Sequence, residues 1–161
     1  LDKKSLKPLS ILIPKEAQLN TVAGYLQKQW KDTLGLYVNL EAVATKDFWA
    51  RLQKGDFSLA ILPLEASGQD CSQLLTAFMS TDSRNYGGFA SEEYDRLLEN
   101  AIKASTGEEA LEYYHKAEQL LLDRGATVPL FTQSGYYAFS KGTTGVESVM
   151  GLLRFKNAAR R

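Results

Sequence analysis

The sequence reads as an α/β fold, with a mixed and mostly parallel sheet flanked by helices. Two observations carry this. Between residues 9 and 64, short apolar runs of strand type alternate with amphipathic helical stretches, which implies parallel strands joined by right-handed crossovers. Near the end, two further runs of strand type flank Ser134-Gly135, a hairpin signature that adds antiparallel strands. At 161 residues and 44% apolar content, the chain can bury a real core. A single domain over residues 1–161 is the natural count.

The elements follow in order. Leu9 to Pro14 is an apolar run closed by proline and predicts a buried strand. Ala17 to Leu34 predicts a helix with Leu19, Val22, Leu26, Trp30 and Thr33 on one face, and Gly35 stands at its end. Tyr37 to Val43 alternates and is β-branched, which predicts a second strand. Thr45 is placed to cap a short helix through Gln53, with Phe48 and Leu52 at i,i+4 and Gly55 as its stop. Phe57 to Leu64 predicts the third strand.

Asp70 with Gln73 resembles a capping box for a helix to Met79. Ser91 caps the next helix, whose Tyr94, Leu97, Leu98, Ala101 and Ile102 make an apolar stripe. Thr106 and Glu109 form a capping box for a helix to Asp123 that should bury Ala110, Tyr114, Ala117 and Leu121. Val128 to Gln133 and Tyr136 to Lys141 are the expected hairpin arms, and a last strand lies near Leu152 to Phe155.

Composition excludes several function classes. Nineteen basic residues balance nineteen acidic ones, without like-charge blocks. Nucleic acid is therefore not an expected partner of this domain, since phosphate binding leaves a basic footprint. Cys71 and His115 are the sole cysteine and histidine. An internal disulfide is impossible, and no metal or other cofactor is expected. Ser67, His115 and an acid make a triad only on paper, because His115 lies inside a predicted helix. Glu92-Glu93 and Glu108-Glu109 occupy first helical turns, where acids offset the helix dipole. Gly87-Gly88 lacks the flanking residues of a phosphate cradle. With no nucleophile elbow either, an enzyme is not expected.

Binding fits better. Ligands of α/β sheets sit outside the carboxyl ends of the strands. Two loops answer that description, Leu64 to Gln69 and Thr81 to Phe89, the second rich in Asn, Tyr and Gly. A plain surface turn explains Asn85-Tyr86-Gly87-Gly88 equally well on these grounds.

A series of motifs shifts that balance. Leu34-Gly35-Leu36-Tyr37-Val38, Gly55-Asp56-Phe57-Ser58, the Asn85 to Leu98 segment, Tyr113 to Glu118 and Val128-Pro129-Leu130-Phe131 follow one another in order. In that order and spacing, the chain resembles the carboxy-terminal lobe of the peptide- and nickel-type (family 5) solute-binding proteins of ABC importers. The resemblance implies one lobe of a type II periplasmic-binding-protein-like fold. It also implies a missing amino-terminal lobe, with a peptide, nickel chelate or sugar held between the two. The start at Leu1 fits an excised piece of a longer precursor.

The implied activity is capture of an oligopeptide or dipeptide and its delivery to ABC transporter permease subunits. The implied place is extracytoplasmic, in the periplasm or lipid-anchored at the outer face of the cell membrane. The alternative is a cytoplasmic ligand sensor in a transcriptional regulator. Leu64, Glu65, Ser67, Asn85 and Tyr86 are the expected ligand-binding residues. One departure stands out. Where peptide binders read G-W-x-A-D-Y-P-D-P, Leu64 replaces the tryptophan and Ser67 replaces the carboxylate that pairs with a free peptide amino terminus. Only Ala66 and Asp70 match that motif. Either Glu65 substitutes, or the ligand presents no ammonium there.

Overall fold

The strand Leu9–Pro14 (β1) lies at the centre of a parallel sheet, paired on one side with Val38–Val43 (β2) and on the other with Leu59–Ala60 (β3). The structure is a computed structural model that describes residues 9–15, 17–64, 72–132, 137–149 and 152–160. The chain divides into two compact units. One carries β1 to β3 and the segment Ser80–Ala90; the other carries three helices and the late strands.

In the first unit, Ala17–Leu34 (α1) connects β1 to β2, and Thr45–Gln53 (α2) connects β2 to β3. The alternation of β1 decides which helix covers which face. Ile11 and Ile13 pack with Ala23 of α1 and Val38, joined by Trp30, Leu36, Leu40 and Ile61. Leu12 points the other way and packs with Phe48 and Leu52 of α2, joined by Val43, Phe57, Ala60, Leu62 and Tyr86. A strand buried on both faces needs a continuous apolar run, which Ile11-Leu12-Ile13 supplies. Pro14, which has no amide to donate, stands at its last position.

Several elements differ from the sequence reading. The third strand pairs only at Leu59 and Ala60, although the Ile61 amide still donates to the Leu12 carbonyl at 3.1 Å. Thr45 does not cap α2: Ala44 holds the cap position without a side-chain bond, and Thr45 is the first helical residue. On α1, Ala23 is buried, while Thr33 is exposed. The single residue linking β2 to α2 is Ala44, whose methyl side chain has no oxygen to offer the first-turn amides.

In the second unit, Ser72–Thr76 (α3), Glu92–Lys103 (α4) and Gly107–Asp123 (α5) pack together. Helix α3 is shorter than the expected run to Met79, and Asp70 lies outside the described residues. The Ser91 and Thr106 hydroxyls accept from the Tyr94 and Glu109 amides, so both predicted caps form. Glu109 reaches back one residue further than a standard box, accepting from the Ser105 amide at 3.0 Å. Tyr94, Leu98 and Ala101 of α4 are buried, but Ile102 is 65% exposed. On α5, Ala117 and Leu121 are buried, whereas Ala110 and Tyr114 are half-buried. The Tyr94 hydroxyl donates to the Leu75 carbonyl at 2.7 Å and ties α4 to α3. Burial pushes that phenol above its ordinary range.

Antiparallel pairing comes later than expected. Residues 128–132 and 137–140 form no strand, and Gln133 to Tyr136 lie outside the described residues. Instead Thr143–Thr144 (β4) pairs with Ala159–Arg160 (β7), and Glu147–Val149 (β5) pairs with Leu152–Arg154 (β6). Both are separate two-stranded ladders. Strand-type composition alone does not hold a strand; it needs a partner and a surface to pack on. Gly145, between β4 and β5, has a close neighbour: a Cβ there would lie 1.9 Å from the Asn157 carbonyl oxygen. Only glycine fits that approach.

The two-faced burial of β1 gives a stability prediction. Leu12→Ala should lower the unfolding free energy by about 2–5 kcal/mol, and Ile102→Ala should change it by less than about 0.5 kcal/mol. Urea unfolding measures both. Comparable losses would mean that β1 is not the organising strand.

Candidate ligand-binding site

The strand order β2-β1-β3 reverses direction at β1. The connection leaving β1 runs to β2 through α1 on one face. The connection leaving β2 passes back across β1 to β3 through α2 on the other face. A crevice opens at such a reversal, outside the carboxyl ends of the two strands that flank it. Here those ends are Pro14 and Lys15 after β1, and Ile61 to Leu64 after β3. Lys15 is exposed and its amide donates to the Val43 carbonyl at 3.0 Å, which closes the sheet edge.

Of the residues expected from sequence, Leu64, Asn85 and Tyr86 are described, while Glu65 and Ser67 lie outside the described residues. Leu64 is 48% exposed at the end of the β3 connection. Tyr86 is half-buried and packs on the Leu12, Phe48 and Leu52 cluster, the same cluster that Leu62 covers. Tyr86 and the segment leading to Leu64 therefore share the α2 face of the sheet.

Asn85 serves the loop more than the solvent. Its amide nitrogen donates to the Phe89 carbonyl at 2.6 Å, and the Phe89 amide donates back to its side-chain oxygen at 3.0 Å. This paired clamp closes the turn through Gly87 and Gly88, with Gly88 at a φ of 64° that favours glycine. Upstream, Asp82 accepts from the Arg84 amide at 2.8 Å and from its guanidinium at 2.9 and 2.7 Å. That fork holds the Asp82 carboxyl below its usual value of 3.8, with the side-chain bonds from Arg84 as the main cause. Two local devices thus fix the backbone on either side of Tyr86.

Sequence reasoning missed Trp49. It stands on α2 beside the buried Phe48, 38% exposed, and its ring centroid lies 6.1 Å from that of Tyr86. Phe48 meets Trp49 edge-on at 5.3 Å. Adjacent aromatics on a helix cannot both face the core, and that was the available signal. Behind this corner, Arg51 of α2 bonds Glu41 of β2 at 2.6 Å and Asp56 at 3.0 Å. The Ser10 hydroxyl and then Arg51 hold the Glu41 carboxyl below its usual range.

His115 is exposed on α5, beside Glu118 at a groove of about 250 Å³ that Leu74, Leu75, Leu111 and Tyr114 also line. Among the described residues, no three His, Cys, Asp or Glu side chains gather as a metal site. Among them, too, no helix is long and apolar enough to cross a membrane.

Two predictions follow from the loop. Asn85→Ala should remove both side-chain bonds to the Phe89 backbone, a loss of about 1–3 kcal/mol of local stability, read as faster amide exchange across residues 85–89. The Asp82–Arg84 fork should be pH-sensitive. A depressed carboxyl contributes fully above its unfolded value and loses that contribution as pH falls through the lower folded value. Acid titration of tryptophan emission in a Trp30→Phe background should thus show a transition below pH 3.8 that Asp82→Asn abolishes.

No protein-family model matches the chain. The periplasmic oligopeptide-binding protein OppA of Salmonella typhimurium is 31% identical over 102 residues, covering 63% of this chain and 19% of OppA. The crystal structure of Haemophilus influenzae OppA in complex with the peptide RPPGFSPFR is 27% identical, with a TM-score of 0.70 over 74% of this chain and 24% of that one. The pheromone receptor PrgZ, 24% identical, shares the fold over 100% of this chain and 31% of its own, at a TM-score of 0.77. The chain spans about a fifth of the length of the curated relatives it matches.

Proposed function

We propose that the chain, a relative of the family 5 solute-binding proteins, forms one lobe of a two-lobe extracytoplasmic protein. That protein captures a peptide between its lobes and delivers it to the permease of an ABC importer. The observation that carries this reading is the likeness to oligopeptide- and dipeptide-binding proteins, laid over a sheet whose strand order reverses at β1, the place where such sheets bind ligands. Both units belong to one lobe in this reading, and Leu64, Glu65, Ser67, Asn85 and Tyr86 contribute its ligand rim.

Exposed apolar residues support a missing counterpart. Val128, Leu130, Phe131, Tyr137 and Phe139 are 43–72% exposed, and large exposed apolar side chains of this kind are what a covering partner would bury. The relatives whose names state a place are periplasmic, which favours transport over regulation. The chemistry is binding. Shape, backbone bonds and exclusion of water hold the ligand, and closure of the lobes supplies the affinity.

The test is calorimetry of this chain and of the two-lobe protein against mixed tri- to pentapeptides. The two-lobe protein should bind in the micromolar range. One lobe keeping half of a binding free energy of about 8 kcal/mol should reach only millimolar affinity. Absence of peptide binding by the two-lobe protein would overturn the reading.

A further inference from the structure

We infer that Trp49 and Tyr86 form a subsite that selects an aromatic side chain of the bound peptide. The inference rests on the peptide-binding reading and adds a specificity residue, Trp49, to it.

Three observations meet at this corner. First, the two rings are tilted by 57° with centroids 6.1 Å apart. An open pair of this kind leaves ring surface available, and Trp49 is 38% exposed. Second, both rings are held in place before any ligand arrives. Trp49 is carried by a helix whose neighbouring Phe48 is 1% exposed in the core. Tyr86 packs on that same core cluster, between the Asp82–Arg84 fork and the Asn85–Phe89 clamp. Side chains ordered in advance lose little entropy on binding. Third, the place is right. Helix α2 starts one residue after β2 ends, so its early turns lie toward the carboxyl edge of the sheet, where the strand order reverses.

The chemistry names the occupant. The nearest charges along the loop are already paired, Asp82 with Arg84, so the corner presents neutral aromatic surface. A third ring completes an edge-to-face or offset arrangement with such a pair. A peptide side chain is the source, since the crevice holds an extended chain in this reading.

The test uses alanine pentapeptides carrying one phenylalanine at each position in turn, measured by calorimetry with the two-lobe protein. At one position phenylalanine should raise affinity about three- to tenfold over the all-alanine peptide, the gain of an ordinary aromatic pair. Trp49→Ala should erase that gain while changing the all-alanine affinity by less than about twofold. Tyr86→Phe should retain it, because the ring and not the hydroxyl makes the contact.

Trp49→Ala reducing all peptides equally, or none, overturns the inference, and so does a preference for lysine or arginine in place of phenylalanine. A second measurement separates this from failure of the peptide reading itself. Millimolar N-acetylphenylalaninamide should change the tryptophan emission of this chain, N-acetylalaninamide should not, and Trp49→Phe should abolish the response. An unresponsive Trp49 overturns the subsite whether or not peptides bind. If no peptide binds the two-lobe protein but Trp49 does respond, the subsite stands and the peptide reading falls.

Discussion

The burial of one strand on both of its faces is the constraint on which the first unit depends. Ile11, Leu12 and Ile13 are each at most 1% exposed. Burying such side chains contributes about 1.5–3 kcal/mol apiece. Because successive side chains point to opposite faces, these three residues recruit two layers at once. Ile11 and Ile13 demand α1, and Leu12 demands α2. A polar residue at any of the three would leave one layer without its anchor.

The same alternation bears on the candidate site. A central strand covered on both faces has the β1–β2 and β2–β3 connections on opposite sides, and the strand order therefore reverses beside its carboxyl end. The brevity of β3 leaves Leu62 to Leu64 outside the ladder, whose last bond is from the Ile61 amide to the Leu12 carbonyl. Arg51 then braces the α2 layer to β2 through Glu41. Its side chain and that of Glu41 are partly exposed, so the pair serves more to orient the helix than to add stability. The oriented helix is what presents Trp49 to Tyr86.

In the two-lobe reading the chain divides its labour between rigid and open parts. Hydrogen bonds within the loop 80–90 fix its backbone without a ligand, and Tyr86 packs it on the sheet and α2. The exposed apolar residues Val128, Leu130, Phe131, Tyr137 and Phe139 have the opposite character. In the two-lobe reading they are surface awaiting the rest of the protein. Binding by closure needs both: a preformed half-site, and a surface whose partner arrives from elsewhere in the chain.

Elements whose signals are local could be read from the sequence: β1, α1 and α2 within their observed bounds, and the caps at Ser91 and Thr106. Each rests on neighbours within four residues, by hydrophobic period or by a side chain bonding a nearby amide. Asn85 and Tyr86 were legible as a loop of the right composition, but not what they do. Tertiary structure alone decided that β3 stops at Ala60, that residues 128–132 form no strand, that Ile102 stays outside and that Trp49 meets Tyr86 across 37 residues of chain. The physical reason is common to all four. A strand exists only where a partner offers its ladder, and a side chain is buried or presented only by what another segment places against it. The sequence by itself determined which segments are helix or strand formers and which faces are apolar; the pairing of distant segments determined which of those faces became core and which became site.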